Sequence, residues 1–76
     1  MFVSIEYCSV WNYLPKASSL ESYLKNKIKD IQVELISSGG GVFEVSLNQD
    51  LIFSKKSSGR FPENSEIIDL IKQKSN

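Results

Sequence analysis

The sequence contains no histidine and a single cysteine, Cys8. Without histidine, neither a Ser-His-Asp nor a Cys-His nucleophilic site can be built, nor a Cys/His zinc site within one chain. With one cysteine an intramolecular disulfide is excluded, and a lone free thiol is easiest to keep in a reducing compartment. Net charge is also lacking, because nine basic and nine acidic residues cancel. A neutral domain has no strong electrostatic attraction to nucleic acid or to an anionic membrane. No apolar run approaches the roughly 18 residues of a membrane span. The opening Met1-Phe2-Val3-Ser4-Ile5-Glu6 has neither the basic start nor the long apolar stretch of a secretory signal. These absences lead to the expectation of a soluble cytoplasmic protein with no metal, no nucleic-acid partner and no membrane partner.

What is present is 76 residues, 41% of them hydrophobic. That is enough for one small domain over residues 1–76 and too little for a multidomain enzyme or a many-stranded fold. Phe2 to Tyr7 alternates, with Val3, Ile5 and Tyr7 on one face, as a half-buried strand does. From Leu14 to about Lys29 the apolar residues Ala17, Leu20, Leu24 and Ile28 recur at helical spacing. Pro15 fits the first turn of that helix and Asn12 suits its cap. Lys25, Lys27 and Lys29 read as its solvated end. Ile31 to Ile36 and Val42 to Leu47 alternate again, and Leu51-Ile52-Phe53 reads as a short fourth strand. Asn48-Gln49-Asp50 reads as a three-residue hairpin loop, and Ser54 to Pro62 as a polar loop. Glu63 to Lys74 is predicted helical on an Ile67, Ile68, Ile71 face, with fraying at Ser75-Asn76.

The order β-α-β-β-β-α gives an α+β (α/β sandwich) domain. The first two strands flank a helix and should be parallel, and the last two form an antiparallel hairpin. The result is a four-stranded mixed sheet with two helices on one face. Its short fourth strand with lysines nearby is a blunted edge, which favours a monomer.

Cys8 is the residue with an obvious chemical use. It follows the first strand and precedes a helix, whose N-terminus carries about half a positive charge and favours thiolates. It reads either as a redox or nucleophilic thiol or as a small buried apolar residue at a strand end. Gly39-Gly40-Gly41 lacks the lysine and hydroxyl of a phosphate loop and reads as a connection into a hairpin. Lys55, Lys56 and Arg60 form a small basic loop, which is either solvated or, with Phe61, a contact for an anion or partner. Trp11 and Tyr13 are either partly buried lids or an exposed contact patch, and the former is favoured.

Three segments carry a resemblance. They are Gly41-Val42-Phe43-Glu44-Val45, Leu51-Ile52-Phe53-Ser54-Lys55-Lys56 and Gly59-Arg60-Phe61-Pro62. Together they resemble the G-x-F-E-V, L-I-x-S-K-K and G-x-F/Y-P signature of the selenoprotein W-related (Rdx) family of thioredoxin-like proteins. Tyr7-Cys8 resembles the start of that family's Y-C-x-x-C redox loop, and Tyr13 and Ala17 fit the residues that follow it. The chain departs from the family where the second cysteine or selenocysteine belongs. That position holds Trp11, so the loop reads Cys8-Ser9-Val10-Trp11.

The resemblance implies a thioredoxin-like core and a redox loop at Cys8, but not two-cysteine exchange, which needs a resolving thiol. It implies a monothiol protein whose first, more exposed sulfur forms mixed disulfides with glutathione or a partner protein. It implies no bound cofactor, glutathione being a co-substrate only. The alternative is a non-catalytic interaction module that contacts a partner through Trp11, Tyr13 and Phe61.

Overall fold

The structure, a computed structural model, describes residues 1–75. The chain runs β1 (Phe2–Cys8), α1 (Leu14–Lys27), β2 (Gln32–Ser38), β3 (Phe43–Leu47), β4 (Asp50–Ser54), α2 (Lys55–Ser58) and α3 (Asn64–Ser75). The sheet order is β2-β1-β3-β4. β1 lies parallel to β2 and antiparallel to β3, and β3 is antiparallel to β4. The four-stranded mixed α+β sheet expected from the sequence is therefore present.

Alternation in β1 and β3 decides which face is covered. Val3, Ile5 and Tyr7 meet Leu47, Val45 and Phe43 in register, and all six are buried. Ala17, Leu20 and Leu24 of α1 and Ile67, Ile68 and Ile71 of α3 close over them in one core. The opposite face keeps Ser4, Glu6, Glu44 and Ser46 only half-buried. A bulge in β4 sets its phase, since Val45 pairs with Phe53 but Ser46 with Leu51, leaving Ile52 as the extra residue. Phe53 thus joins the core while Leu51 stands exposed.

Several local expectations are corrected. The hairpin loop has two residues rather than three, because Asp50 already pairs with Leu47. Asn48 and Gln49 have φ of 49° and 76°, the double left-handed geometry that matches the twist of paired strands. The stretch read as a polar loop contains α2, a single helical turn. Ser54 Oγ accepts the Ser57 N–H at its start, and Gly59 ends it with φ 74°. Asn12 does not cap α1. Tyr13 occupies that position without a side-chain bond, and Asn12 instead takes φ 61° in the preceding loop. α1 stops at Lys27, so Ile28 is its C-cap rather than part of its stripe. Glu63 precedes α3 rather than opening it, and its N–H is accepted by Glu66 Oε1 at 3.3 Å, half of a capping box. α3 continues through Ser75, and the fraying expected at Asn76 lies outside the described residues.

Candidate functional site at the β1–α1 loop

β1 delivers Cys8 to the end of the sheet, opposite Ser38 of β2. Its N–H donates to the Val42 carbonyl at 2.9 Å, so the backbone there is still held as sheet. The chain then folds back on itself. Ser9 N–H and Oγ both donate to the Ser38 carbonyl, at 3.0 and 3.2 Å. Asn12 N–H closes a turn on the Ser9 carbonyl at 3.1 Å, and Tyr13 N–H returns to the Cys8 carbonyl at 3.0 Å. Inside this loop the Trp11 N–H donates to Cys8 Sγ at 3.3 Å. A backbone N–H aimed at sulfur fixes the side chain and suits a sulfur that carries negative charge.

The sulfur is not the exposed one that the family's loop implies. Cys8 has 0% relative exposure. Its burial is that of the small apolar residue at a strand end that the sequence also allowed. The loop residues that follow it, Ser9, Val10, Trp11 and Asn12, all face solvent. Val10 is 80% exposed and Trp11 61%, so Trp11 is an exposed side chain rather than the partly buried lid favoured from sequence. Tyr13 is half-buried, as expected.

The Trp11 ring is nevertheless anchored. It lies against the backbone of Gly41, where a Cβ would fall 2.8 Å from Trp11 Cε3 and closer still to Cζ3. Gly41 also has φ 72°. The glycine triplet is thus more than a connection, since its third member seats the residue that replaces the family's second redox position.

From Trp11 a line of edge-to-face rings runs inward. Trp11 meets Tyr13 at 6.2 Å, Tyr13 meets Phe61 at 4.7 Å, and Phe61 meets Phe43 at 5.3 Å. The three aromatic residues singled out from sequence, Trp11, Tyr13 and Phe61, therefore form one connected face. The basic loop divides. Arg60 pairs with Glu66 through two bonds, at 2.9 and 2.7 Å. Those bonds hold the Glu66 carboxyl below the usual range for glutamate, with partial burial opposing them. Lys55 instead lies over Tyr13 and Phe61, and Lys16 joins it on Phe61. Sequence reasoning missed the Trp11–Gly41 seat and the convergence of Lys16 with Lys55. Both join residues that are distant in sequence, and the only signals were a signature glycine and two lysines near aromatics.

Comparisons with known proteins agree with this geometry. Residues 2–73 match the Rdx family. Two relatives, both named migration and invasion enhancer 1, are 32% (Bos taurus) and 31% (Mus musculus) identical over 74 residues. The match covers 97% of this chain and 64% of each relative, so the chain spans less than two thirds of their length. A solved selenoprotein W-related protein from Vibrio cholerae superposes with TM-score 0.93 at 26% identity, over 99% of this chain and 96% of that one. A Bordetella parapertussis structure superposes with TM-score 0.90 at 24% identity over 95% and 94%, a likeness of fold. No helix among the described residues is long and apolar enough to cross a membrane. Sheet order, loop position and sequence match converge: this chain belongs to the Rdx family of selenoprotein W-related, thioredoxin-like proteins, with Trp11 in the place of its second redox residue.

Proposed function

We propose that this protein is a monothiol redox protein whose thiol, Cys8, is sheltered by its own loop and reacts when that loop opens. The observation that carries the reading is the Trp11 N–H held on Cys8 Sγ at 3.3 Å, at the redox-loop position of an Rdx chain. The residues that follow it, Ser9 to Asn12, are exposed. Opening Ser9–Asn12 would expose it without unpacking the sheet.

The chemistry is a single exchange and its reversal. The Cys8 thiolate attacks one sulfur of a disulfide such as oxidised glutathione. A Cys8–glutathione S–S bond forms, the original S–S bond breaks, and the second glutathione leaves as a thiolate and takes a proton from water. A further glutathione thiolate then attacks the glutathione sulfur of the mixed disulfide, which returns Cys8 as thiolate and yields oxidised glutathione. No second protein cysteine is needed. The reading takes a reducing cytoplasm as the source of glutathione and a monomer as the working unit.

The test is the alkylation rate of Cys8 against pH in folded and unfolded protein, with mass detection of the glutathione adduct. We expect slow but finite modification of the folded protein, an adduct formed without denaturant, and acceleration in Trp11→Ala. Modification only after unfolding, in wild type and Trp11→Ala alike, would make Cys8 a packing residue.

A second reading is favoured by a different observation. Val10, Trp11 and Leu14 are 80%, 61% and 44% exposed on one loop and the helical turn that follows. An exposed aromatic and two aliphatics suit a protein contact. On this reading Cys8→Ser retains the protein's cellular effects and Trp11→Ala loses them, whereas the redox reading requires Cys8.

A further inference from the structure

The two edges of the sheet differ. In the order β2-β1-β3-β4, β2 and β4 each pair on one side only. β4 is guarded by its short length, by its bulge at Ile52, and by Lys55 and Lys56 directly after it. β2 runs for seven residues, Gln32–Ser38, in unbroken parallel register with β1. It holds no proline, lysine or arginine, and its single charge is Glu34. Gln32, Glu34, Ile36 and Ser37 are exposed, and among the described residues no other strand pairs with this edge.

The ladder shows which backbone groups β2 leaves free. Gln32 N–H donates to the Met1 carbonyl, and the Ser38 carbonyl accepts from Ser9 N–H, both at 3.0 Å. Even-numbered residues of β2 therefore face β1. Successive residues of a strand turn their N–H and C=O to opposite sides, so Val33, Leu35 and Ser37 point theirs away from β1. A second copy can meet that row with the same row. In an antiparallel pair about a two-fold axis at Leu35, Leu35 faces the partner's Leu35, Val33 the partner's Ser37, and Glu34 the partner's Ile36. The whole strand then overlaps, and the three outward residues of each chain satisfy one another's donors and acceptors. No charge faces a like charge. Sliding the partner by two residues one way sets Glu34 against Glu34 in a close pair. Sliding it the other way matches only two of the three outward residues. The chain's net charge is zero, so two copies have no long-range repulsion to overcome.

We propose that the β2 edge takes a second copy of this chain as an antiparallel strand in this register, joining the two sheets into one. The redox reading is independent of it, since each protomer keeps its own Cys8 loop and the exchange there needs one chain only. Analytical ultracentrifugation reads mass against concentration, with reductant present so that no disulfide between two Cys8 thiols contributes. A small interface without an aromatic anchor predicts a reversible dimer with a dissociation constant on the order of 0.1 mM. Ser37→Pro removes an outward N–H and leaves the β1 ladder intact. It should weaken the dimer about tenfold, whereas Ser37→Ala should keep it. Ile36→Lys sets a lysine against the partner's Glu34 and should hold or tighten the dimer; its loss there overturns the register. Amide hydrogen exchange gives a readout that needs no variant. As concentration rises, the Val33, Leu35 and Ser37 N–H groups should become protected together while those of α2 stay unchanged. A monomer up to about ten times that dissociation constant, or exchange at these three amides that ignores concentration, overturns the proposal. A dimer unmoved by Ser37→Pro places the contact elsewhere and overturns it as well.

Discussion

Replacing Gly41 by alanine should release the cover over Cys8, and Gly40 supplies the matched control. Both glycines are left-handed, with φ of 72° and 67°. Each substitution therefore carries the same backbone cost, about 1–2 kcal/mol for an L-residue there. They differ in what the new Cβ meets. At Gly40 there is nothing within 4 Å, whereas at Gly41 the Cβ would overlap the Trp11 ring. The ring is 61% exposed and free to swing outward, so about two-fifths of its surface is at stake. With about 250 Å² for a tryptophan side chain, about 100 Å² leaves its seat. At about 25 cal/mol per Å² the ceiling is about 2.5 kcal/mol. Other neighbours and the compact unfolded chain share that burial, so about 1.4 kcal/mol, a tenfold change in the opening equilibrium, is the expected value. Iodoacetamide should then modify Cys8 about tenfold faster in Gly41→Ala than in Gly40→Ala at equal global stability correction. In Trp11→Ala the added Gly41→Ala change should cost only the backbone penalty, a non-additive pair in a double-mutant cycle. Equal alkylation rates in the two glycine variants would refute the claim that the Trp11 seat holds the loop closed.

Other perturbations test the remaining parts of the argument. Trp11→Cys restores the spacing of a two-cysteine loop, and the position 11 N–H already lies 3.3 Å from Cys8 Sγ. That variant should lose both free thiols to an internal disulfide under mild oxidation, as read by a thiol reagent, and persistence of both would show the loop geometry is wrong for exchange. Glu66 has a lowered folded-state pKa through its hydrogen bonds from Arg60. Its contribution is therefore present above the ordinary glutamate value of about 4.3 and is lost as pH falls through the lower folded value. Glu66→Gln should flatten the acid limb of stability in denaturant melts below about pH 4.3 while changing its slope little near neutrality. Gln49 sits at φ 76° in the two-residue hairpin turn, so Gln49→Gly, which completes the favoured Asn-Gly pair, should stabilise the domain by about 0.5–1 kcal/mol in urea melts.

How much of this was legible in the sequence follows from the range of the interactions. The β1 and β3 alternations, the α1 stripe and the Ile67-Ile68-Ile71 face are local periodicities, so the layered α+β order could be read directly. Turn chemistry is also local but finer. Asn48-Gln49 lacks the glycine that marks a two-residue turn, and the Ser54 cap of α2 is one hydroxyl in a serine-rich stretch, so both were misread. The resemblance identified Cys8 as the loop's sulfur and Trp11 as the departure, because each is a single residue at a fixed spacing. It could not give the burial of Cys8, since the first sulfur of such a loop carries no signal for what will cover it. That cover depends on the Trp11 ring finding Gly41 across the sheet end.

The seat combines a signature residue with a departure from the signature. Gly41 belongs to the G-x-F-E-V signature, and its missing Cβ is what leaves room for the Trp11 ring. The backbone N–H of position 11, which any residue but proline would offer, bonds the remaining sulfur, while the Trp11 ring rests on Gly41. The coupling of Trp11 to Cys8 through the backbone and to Gly41 through the ring is what makes a sheltered thiol, rather than an abandoned one, the stronger reading of this loop.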